Sequence, residues 1–330
     1  DWKNPYLTMN FATEADTVRA LGKIVANGHM VKGYKPVYWS VVGASALAEA
    51  EVEYQDKTSF AIDVKFKVAE IDKFSEAFKG LDKSKLSAPI FVVIWTPTPW
   101  TLPSNQAVCL NASLAYALVR NKLHGETNTI LVAKTMVEDV MARYGIQDYE
   151  ILGETEGAAL EELELEHPFI NKRVPLILGD HVTTEAGTGA VHTAPDHGLD
   201  DCDVGQDYGL GTLNLVDENG LFTSDAGEFS GAHVYKVDDL IIQRLKTNKA
   251  LVAVEKINHS YAHCWRTKTP LIYRATPQWF ISMTEKDLLG SALKAVKQIK
   301  WVPDWGQARI ELMLLKMFNN LLFGFYWSGF

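Results

Sequence analysis

Residues 187–208 read GTGAVHTAPDHGLDDCDVGQDY, and this stretch narrows the possible folds more than any other. Apolar residues run into His192, Pro195 interrupts, and acidic residues fill the first turn of a helical pattern from Leu199. That reads as strand, tight turn and helix start, a place where ligand pockets are commonly built. Gly187, Gly189 and Gly198 let the backbone turn and approach a neighbour closely. Its ionisable groups include His192, His197, Asp200, Asp201 and Asp203. Aspartates at a helix start also serve simply to offset the helix dipole. Histidines beside carboxylates also suit a metal, but the spacing of His192 and His197 does not stack them on one helix face.

A second stretch, residues 95–105, reads WTPTPWTLPSN and follows an apolar, β-like run at 90–94. Thr96, Thr98 and Thr101 alternate with Pro97, Pro99 and Pro103. Prolines fix φ and exclude a regular helix, so a stiff turn is expected, with its hydroxyls and Asn105 held in set directions. The plainer alternative is a Pro-rich loop whose threonines satisfy local backbone groups.

The 330 residues suffice for about two domains. A net charge of −9 excludes a broad basic surface for nucleic acid, so any RNA contact is local or supplied by a larger partner. Cys109, Cys202 and Cys264 lie far apart, which argues against a disulfide framework and suits a reducing cytoplasm. The charged, polar N-terminus carries no signal peptide pattern.

Residues 13–30 predict an amphipathic helix, with Thr13 and Asp16 as a capping box. A strand is expected at 35–42. Phe60, Ile62, Val64, Phe66 and Val68 alternate with polar residues, the pattern of a half-buried strand. A short helix follows at 71–78, then strands at 116–120 and 129–133. Residues 134–144 predict a helix whose Met136, Val137, Val140, Met141 and Tyr144 stripe is core. Further strands are expected at 149–152, 174–178 and 190–192, a turn at 217–220, a helix at 234–245 and a strand at 251–257. Many short strands with few long helices predict an α+β chain with a β-barrel-like domain and peripheral helices.

Taken together, the two stretches resemble the editing insertion of the isoleucyl-tRNA synthetase family, bacterial type. Residues 1–2 (DW), 4–9 (NPYLTM), 45–54 (SALAEAEVEY), 274–280 (RATPQWF) and 303–310 (PDWGQARI) agree in family order. The resemblance covers residues 1–311. It implies a stem from a Rossmann-type catalytic core at 1–50, an editing domain at 51–256 and a return stem at 257–311. The apolar tail at 312–330 lies outside it; it is slightly short for a membrane span, and a helix packed on the domain or a foreign end are its readings. The family's ATP-handling signatures, His-Ile-Gly-His and Lys-Met-Ser-Lys-Ser, are absent from this sequence. Aminoacylation is therefore not expected of this chain alone.

The implied activity is hydrolysis of valine esterified to the 3′ end of tRNA(Ile). A pocket for isoleucine cannot strongly reject valine, a limit for which this family is the standard example, so a second sieve is needed. By resemblance, Asp201 anchors the substrate α-ammonium, His192 limits side-chain size, and Thr98 and Thr101 hold the water or the ester. Thr96, Trp100, Asn105, His197 and Asp200 complete the substrate contacts. The implied partners are the valine-bearing tRNA(Ile) end and the parent catalytic core, with a monomeric, cytoplasmic chain, no membrane and no cofactor. Pro97, Asp196, Leu199 and Cys202 stand where the family has threonine, glycine, proline and tyrosine. Asp196 is expected to place a further negative charge beside the pocket. These departures leave two alternatives open: an inactive fragment that binds the tRNA acceptor end, and a metal-dependent hydrolase using His192, His197 and aspartates. Family members often hold a structural zinc between two Cys-x-x-Cys pairs. Here Ser40, Gly43 and Thr267 leave only Cys264 and His263, too few for a closed site.

Overall fold

The computed structural model describes residues 3, 5–86, 89–123, 125–319 and 322–325. Asp1, Trp2 and Asn4 of the first family-like segment, and residues 320–321 and 326–330 of the tail, lie outside the described residues. Two compact units form: Pro36–Ala275, and Asp1–Lys35 with Thr276–Phe330.

The elements begin with α1 (Phe11–Ala26), β1 (Met30–Ser40), β2 (Ser45–Leu47), β3 (Val52–Val68), α2 (Ile71–Glu76) and β4 (Ile90–Thr96). Next come β5 (Ala107–Leu110), β6 (Ala115–Leu123), β7 (Glu126–Ala133), α3 (Val137–Arg143), β8 (Tyr149–Glu156), β9 (Glu164–Glu166) and β10 (Arg173–Leu178). The order closes with β11 (Val191–Thr193), α4 (Leu199–Asp207), α5 (Asp238–Thr247), β12 (Leu251–Cys264), β13 (Ile272–Ser282), α6 (Leu288–Val296), α7 (Gly306–Asn319) and β14 (Leu322–Phe325).

The larger unit is built on a ten-stranded sheet of order β11-β5-β10-β9-β3-β4-β7-β6-β8, with β12 also paired to β3. Seventeen-residue β3 outruns any single neighbour. Antiparallel β12 takes one edge from Val52 to Val64, β9 continues that edge at Lys67 and Val68, and β4 takes the opposite edge from Ile62 to Lys67. The sheet therefore branches at β3. Among the described residues its end strands β8 and β11 do not pair, so the barrel-like expectation is corrected to an open, mixed α+β sheet.

The half-buried reading of β3 also changes. Residues 61–66 are buried on both faces, so Asp63 and Lys65, polar by alternation, sit inside at 2% and 9% exposure. Each charge is met. Arg143 and the Tyr144 hydroxyl donate to Asp63 Oδ1 at 2.6 and 2.8 Å, and Lys65 Nζ donates to Asn128 Oδ1 at 3.1 Å. An unpartnered charge at either position would cost several kcal/mol, on the order of a broken buried pair. Around them Ile62, Val64, Phe66, Phe74, Val92, Ile94, Leu118 and Ile130 form the fully buried core.

In the smaller unit α1 starts earlier than expected. Asn10 Oδ1 accepts from Ala12 N–H at 2.9 Å, so Asn10 and not Thr13 is the cap. The helix ends at Ala26, and Gly28 (φ +74°) turns the chain into β1. Here the backbone N–H of Ser282 in β13 donates to His29 O at 2.8 Å, and β14 pairs antiparallel with β13. The tail thus contributes the end of α7 and β14. None of the helices among the described residues is long and apolar enough to cross a membrane.

What positions the site is the loop before β11. Thr188 Oγ1 donates to Val93 O at 2.6 Å, Ala133 N–H donates to Thr188 O at 2.8 Å, and the Tyr116 hydroxyl donates to Gly189 O at 2.7 Å. Arg143, already on Asp63, donates to Gly187 O at 3.1 Å. Gly189 has φ +78°, and a Cβ there would lie 2.3 Å from the Ala133 Cβ. Gly189→Ala combines a left-handed backbone with overpacking, and is expected to lower the unfolding free energy by at least about 1–3 kcal/mol. Urea denaturation checks this, and wild-type stability in the variant would contradict it.

Candidate functional site

Leaving β4 at Thr96, the chain enters a 3-10 helix, Pro99–Ser104, with prolines at its first position and in its interior. The threonines serve both purposes considered from sequence. Locally, Thr98 N–H donates to Thr96 Oγ1 at 3.2 Å, and Thr101 Oγ1 donates to Thr98 O at 2.9 Å. At long range, Thr101 Oγ1 lies 2.8 Å from His192 Nε2 on β11. With its one proton given to Thr98 O, the Thr101 hydroxyl accepts from a His192 Nε2–H. Nδ1 is then the acceptor, and Asn105 Nδ2 approaches it at 3.4 Å while donating to Ala107 O at 2.7 Å. Asn105 Oδ1 is buried without a hydrogen-bond partner.

The second histidine is held as firmly. His197 Nδ1 lies 2.9 Å from Tyr273 O and Nε2 lies 3.1 Å from Ser104 Oγ, with the Trp100 ring packed edge-on at 4.9 Å between centroids. A carbonyl only accepts, so Nδ1 carries the proton and Nε2 accepts from Ser104. Burial pushes both imidazoles down to about 4, helped at His192 by the nearby His197. Both rings are neutral at pH 7, and every ring nitrogen faces a protein partner. That arrangement does not suit the metal-dependent alternative.

Asp201 sits in the first turn of α4, after the cap residue Gly198. Its Oδ2 accepts from Ala194 N–H at 2.9 Å. Burial raises its pKa, against the Ala194 N–H and His181, which lower it. Asp200 beside it is exposed. Asp196 departs from expectation: its buried carboxylate accepts from Leu213 N–H, so its charge is spent on a loop contact. Cys202 is buried and accepts from Gln206 Nε2 at 3.5 Å.

A cavity of about 340 Å³ opens beside the turn, lined by Thr98 and Trp100 together with Lys57, Tyr235, Asp238 and Tyr261. Asp201 is not part of that lining. A separate cavity of about 280 Å³ is lined by His181, Asp200, Asp203 and Asp207. The structure thus joins Thr101, Asn105 and His192, joins Trp100 and His197, and leaves Asp201 bonded to Ala194. Lys57, Asp238 and Tyr261 escaped sequence reasoning because they come singly from β3, α5 and β12, with no motif around them. At the other sequence-predicted cluster, Gly43 N–H donates to Ser40 Oγ at 3.0 Å and Thr267 N–H donates to Cys264 Sγ at 3.5 Å. Burial raises the Cys264 thiol, but hydrogen bonds from Thr267, Arg266 and Ser40 bring it below its ordinary value. A thiol satisfied by hydroxyl and amide groups does not fit a zinc site.

With this geometry in place, the comparisons define the class. The model of tRNA synthetases class I (I, L, M and V) matches residues 1–319, and the chain belongs to that family of aminoacyl-tRNA synthetases. Within it the chain is similar to isoleucine–tRNA ligases. Those of Marinomonas sp. (strain MWYL1) and Teredinibacter turnerae are each 59% identical to it, and that of Hahella chejuensis 54%, each over 95% of this chain. The chain spans 33% of the length of each of these relatives. The solved P. knowlesi cytosolic leucyl-tRNA synthetase editing domain overlaps 60% of this chain and 97% of its own, at TM-score 0.49 and 13% identity, a likeness too slight to carry an argument.

The depressed histidines set a pH test. A histidine whose folded value lies below the unfolded value of about 6.5 contributes stability that is full above that pH and lost as pH falls toward about 4. The raised carboxyls, Asp63 and Asp201 among them, act in the opposite sense. Comparing wild type with His192→Gln isolates one histidine. Its unfolding free energy is expected to fall less steeply from pH 6.5 to 4 than that of wild type. Parallel pH profiles would contradict a buried, neutral His192.

Proposed function

We propose that this chain carries the editing hydrolase of an isoleucine–tRNA ligase, cleaving valine from the 3′ end of mischarged tRNA(Ile). The observation that carries the reading is the Thr101–His192 contact at 2.8 Å. It joins the two chemistry-bearing stretches, the first of which also walls the cavity of about 340 Å³ through Pro97, Thr98 and Trp100. The family membership and the isoleucine–tRNA ligase relatives support the same reading.

An aminoacyl ester is already labile, so holding ester and water in line and stabilising the developing oxyanion can suffice. The residues suit that economy. The neutral, fully bonded His192 and His197 offer shape and hydrogen-bond polarity, not a strong base. Thr96 and Thr98, whose hydroxyls lie 3.2 Å apart, offer a donor and acceptor pair for the ester or the water. By the family resemblance His192, fixed by Thr101 and Asn105, is the residue that excludes the larger isoleucine, although it is not part of the cavity's lining. By the same resemblance Asp201 supplies the carboxylate for the α-ammonium, a charge-assisted pairing, although it lies outside the cavity's lining with its Oδ2 on Ala194 N–H. Lys57 and Lys256 at the cavity supply a local basic contact on a chain of net charge −9. The tRNA end and the catalytic core of the whole ligase are its partners, and the cytoplasm is its place.

Pro97, which lines the cavity where the family has a threonine, favours a second reading: a fragment that binds the acceptor end without cleaving it. Mixing the chain with Val-tRNA(Ile) separates the two, by loss of the ester or by binding alone. Asp201→Ala is expected to abolish release of valine. Release at the wild-type rate would remove Asp201 from the mechanism.

A further inference from the structure

A lysine sits inside the large sheet without an opposite charge in contact. Lys65 on β3 is 9% exposed. Its Nζ donates to Asn128 Oδ1 on β7 at 3.1 Å and lies 4.6 Å from the centroid of the Phe91 ring on β4. Among the described residues no carboxylate closes an ion pair with it. Lys65, Asn128 and Phe91 all line a cavity of about 370 Å³, so the ammonium lies on the cavity wall. That cavity shares no lining residue with the one beside Thr98. Its other charges are closed in exposed pairs: Lys67 Nζ lies on Glu166 at 3.0 Å, and Lys249 Nζ on Glu126 at 2.7 Å. His167 adds no charge at neutral pH, since burial pushes it down to about 3 and its Nδ1 accepts from Ile170 N–H at 3.0 Å. The lining therefore carries one uncompensated positive charge, at Lys65. An ammonium has three N–H donors, and Asn128 takes one. A buried charge held by an amide and a ring face alone is costly until an anion meets it. Burial accordingly lowers the Lys65 pKa, with Glu126 opposing and Lys249 adding to the shift.

We propose that this cavity is a binding site for a small monocarboxylate, with the carboxylate on Lys65 Nζ and the apolar body along Phe91. The ammonium is held ready for it. Asn128 Nδ2 donates to Glu126 O at 2.9 Å, which sets the amide with its oxygen toward Lys65. The Lys65 backbone N–H donates to Ala250 O at 2.9 Å, and Ala250 is itself part of the lining. One carboxylate neutralises the single excess charge, in a charge-assisted pairing. A phosphate dianion would bring a second negative charge toward Glu126 and Glu166, which share the lining. Pro89, Phe91 and Pro168 offer an apolar wall against which a hydrocarbon body is buried and a phosphate is not.

The test uses the full chain and isovalerate as the probe, with isovaleramide, inorganic phosphate and an RNA acceptor minihelix as comparisons. NMR of side-chain-labelled lysine follows the Lys65 resonance, and calorimetry measures affinity. In wild type, isovalerate is expected to move the Lys65 resonance and to raise the pH at which it titrates, while the uncharged amide does neither. Lys65→Met keeps the length and removes the charge. It is expected to weaken isovalerate binding by about tenfold to a hundredfold, the loss of one charge-assisted hydrogen bond. If that variant does not fold, the contrast between acid and amide on wild type decides the matter alone. Equal binding of the amide, or unchanged affinity in Lys65→Met, would overturn the inference. So would a Lys65 resonance that saturating isovalerate leaves in place, whether or not phosphate or the minihelix moves it.

Discussion

Everything at the site depends on a close backbone approach that only glycine permits. Gly189 lies against Ala133 where a side chain would collide, and Thr188 reaches across to Val93 O on β4. These contacts tie the loop before β11 to strands that precede it by many residues. Once it is tied, β11 lies antiparallel to β5 with His192 opposite Val108, and the imidazole meets Thr101 in the 3-10 helix that follows β4. The buried Asp63–Arg143 pair extends the same clamp to Gly187 O. A buried pair of this kind is weak evidence for net stability. Its structural consequence here is that one guanidinium fixes the start of the loop to β3.

The electrostatic character of the site follows from that burial. Two buried histidines are held neutral, and their protons are assigned by partners that can only accept or have already donated. Such a site has little capacity for proton abstraction and good capacity for orientation. An activated ester asks for the second more than the first. Two carboxyls, Asp201 and Asp238, are both raised by burial, and Asp201 Oδ2 accepts from Ala194 N–H.

Much of the fold was legible in the residues, where one face of an element is buried and the other wet. The stripe of α3 follows from its period, and β6, β7 and β10 from runs of apolar residues. β5 did not, because its four residues are all buried and make too short a run to read. Asp63 and Lys65 were assigned to the solvent face because alternation cannot reveal that neighbouring elements cover both sides of β3. The branching of the sheet at β3 is a matter of strand length against partner length, which no local pattern encodes. At the site, the family resemblance singled out Thr101, Asn105 and His192, and Trp100 and His197, which the structure brings into contact. The cavity wall was not: Lys57, Tyr235, Asp238 and Tyr261 become neighbours only through the register of β3 with β12 and the packing of α5.

The central claim is that the cavity walled by Pro97, Thr98 and Trp100, on the turn joined to β11 through Thr101 and His192, receives an esterified amino acid. A crystal structure of the chain soaked with a non-hydrolysable valyl amide of 3′-amino-3′-deoxyadenosine tests this most directly. The account predicts the valyl group beside Thr98 and Trp100, bounded by His192, with its ammonium met by a carboxylate of the site. Density for the analogue elsewhere on the chain, or none at saturating concentration, would contradict it.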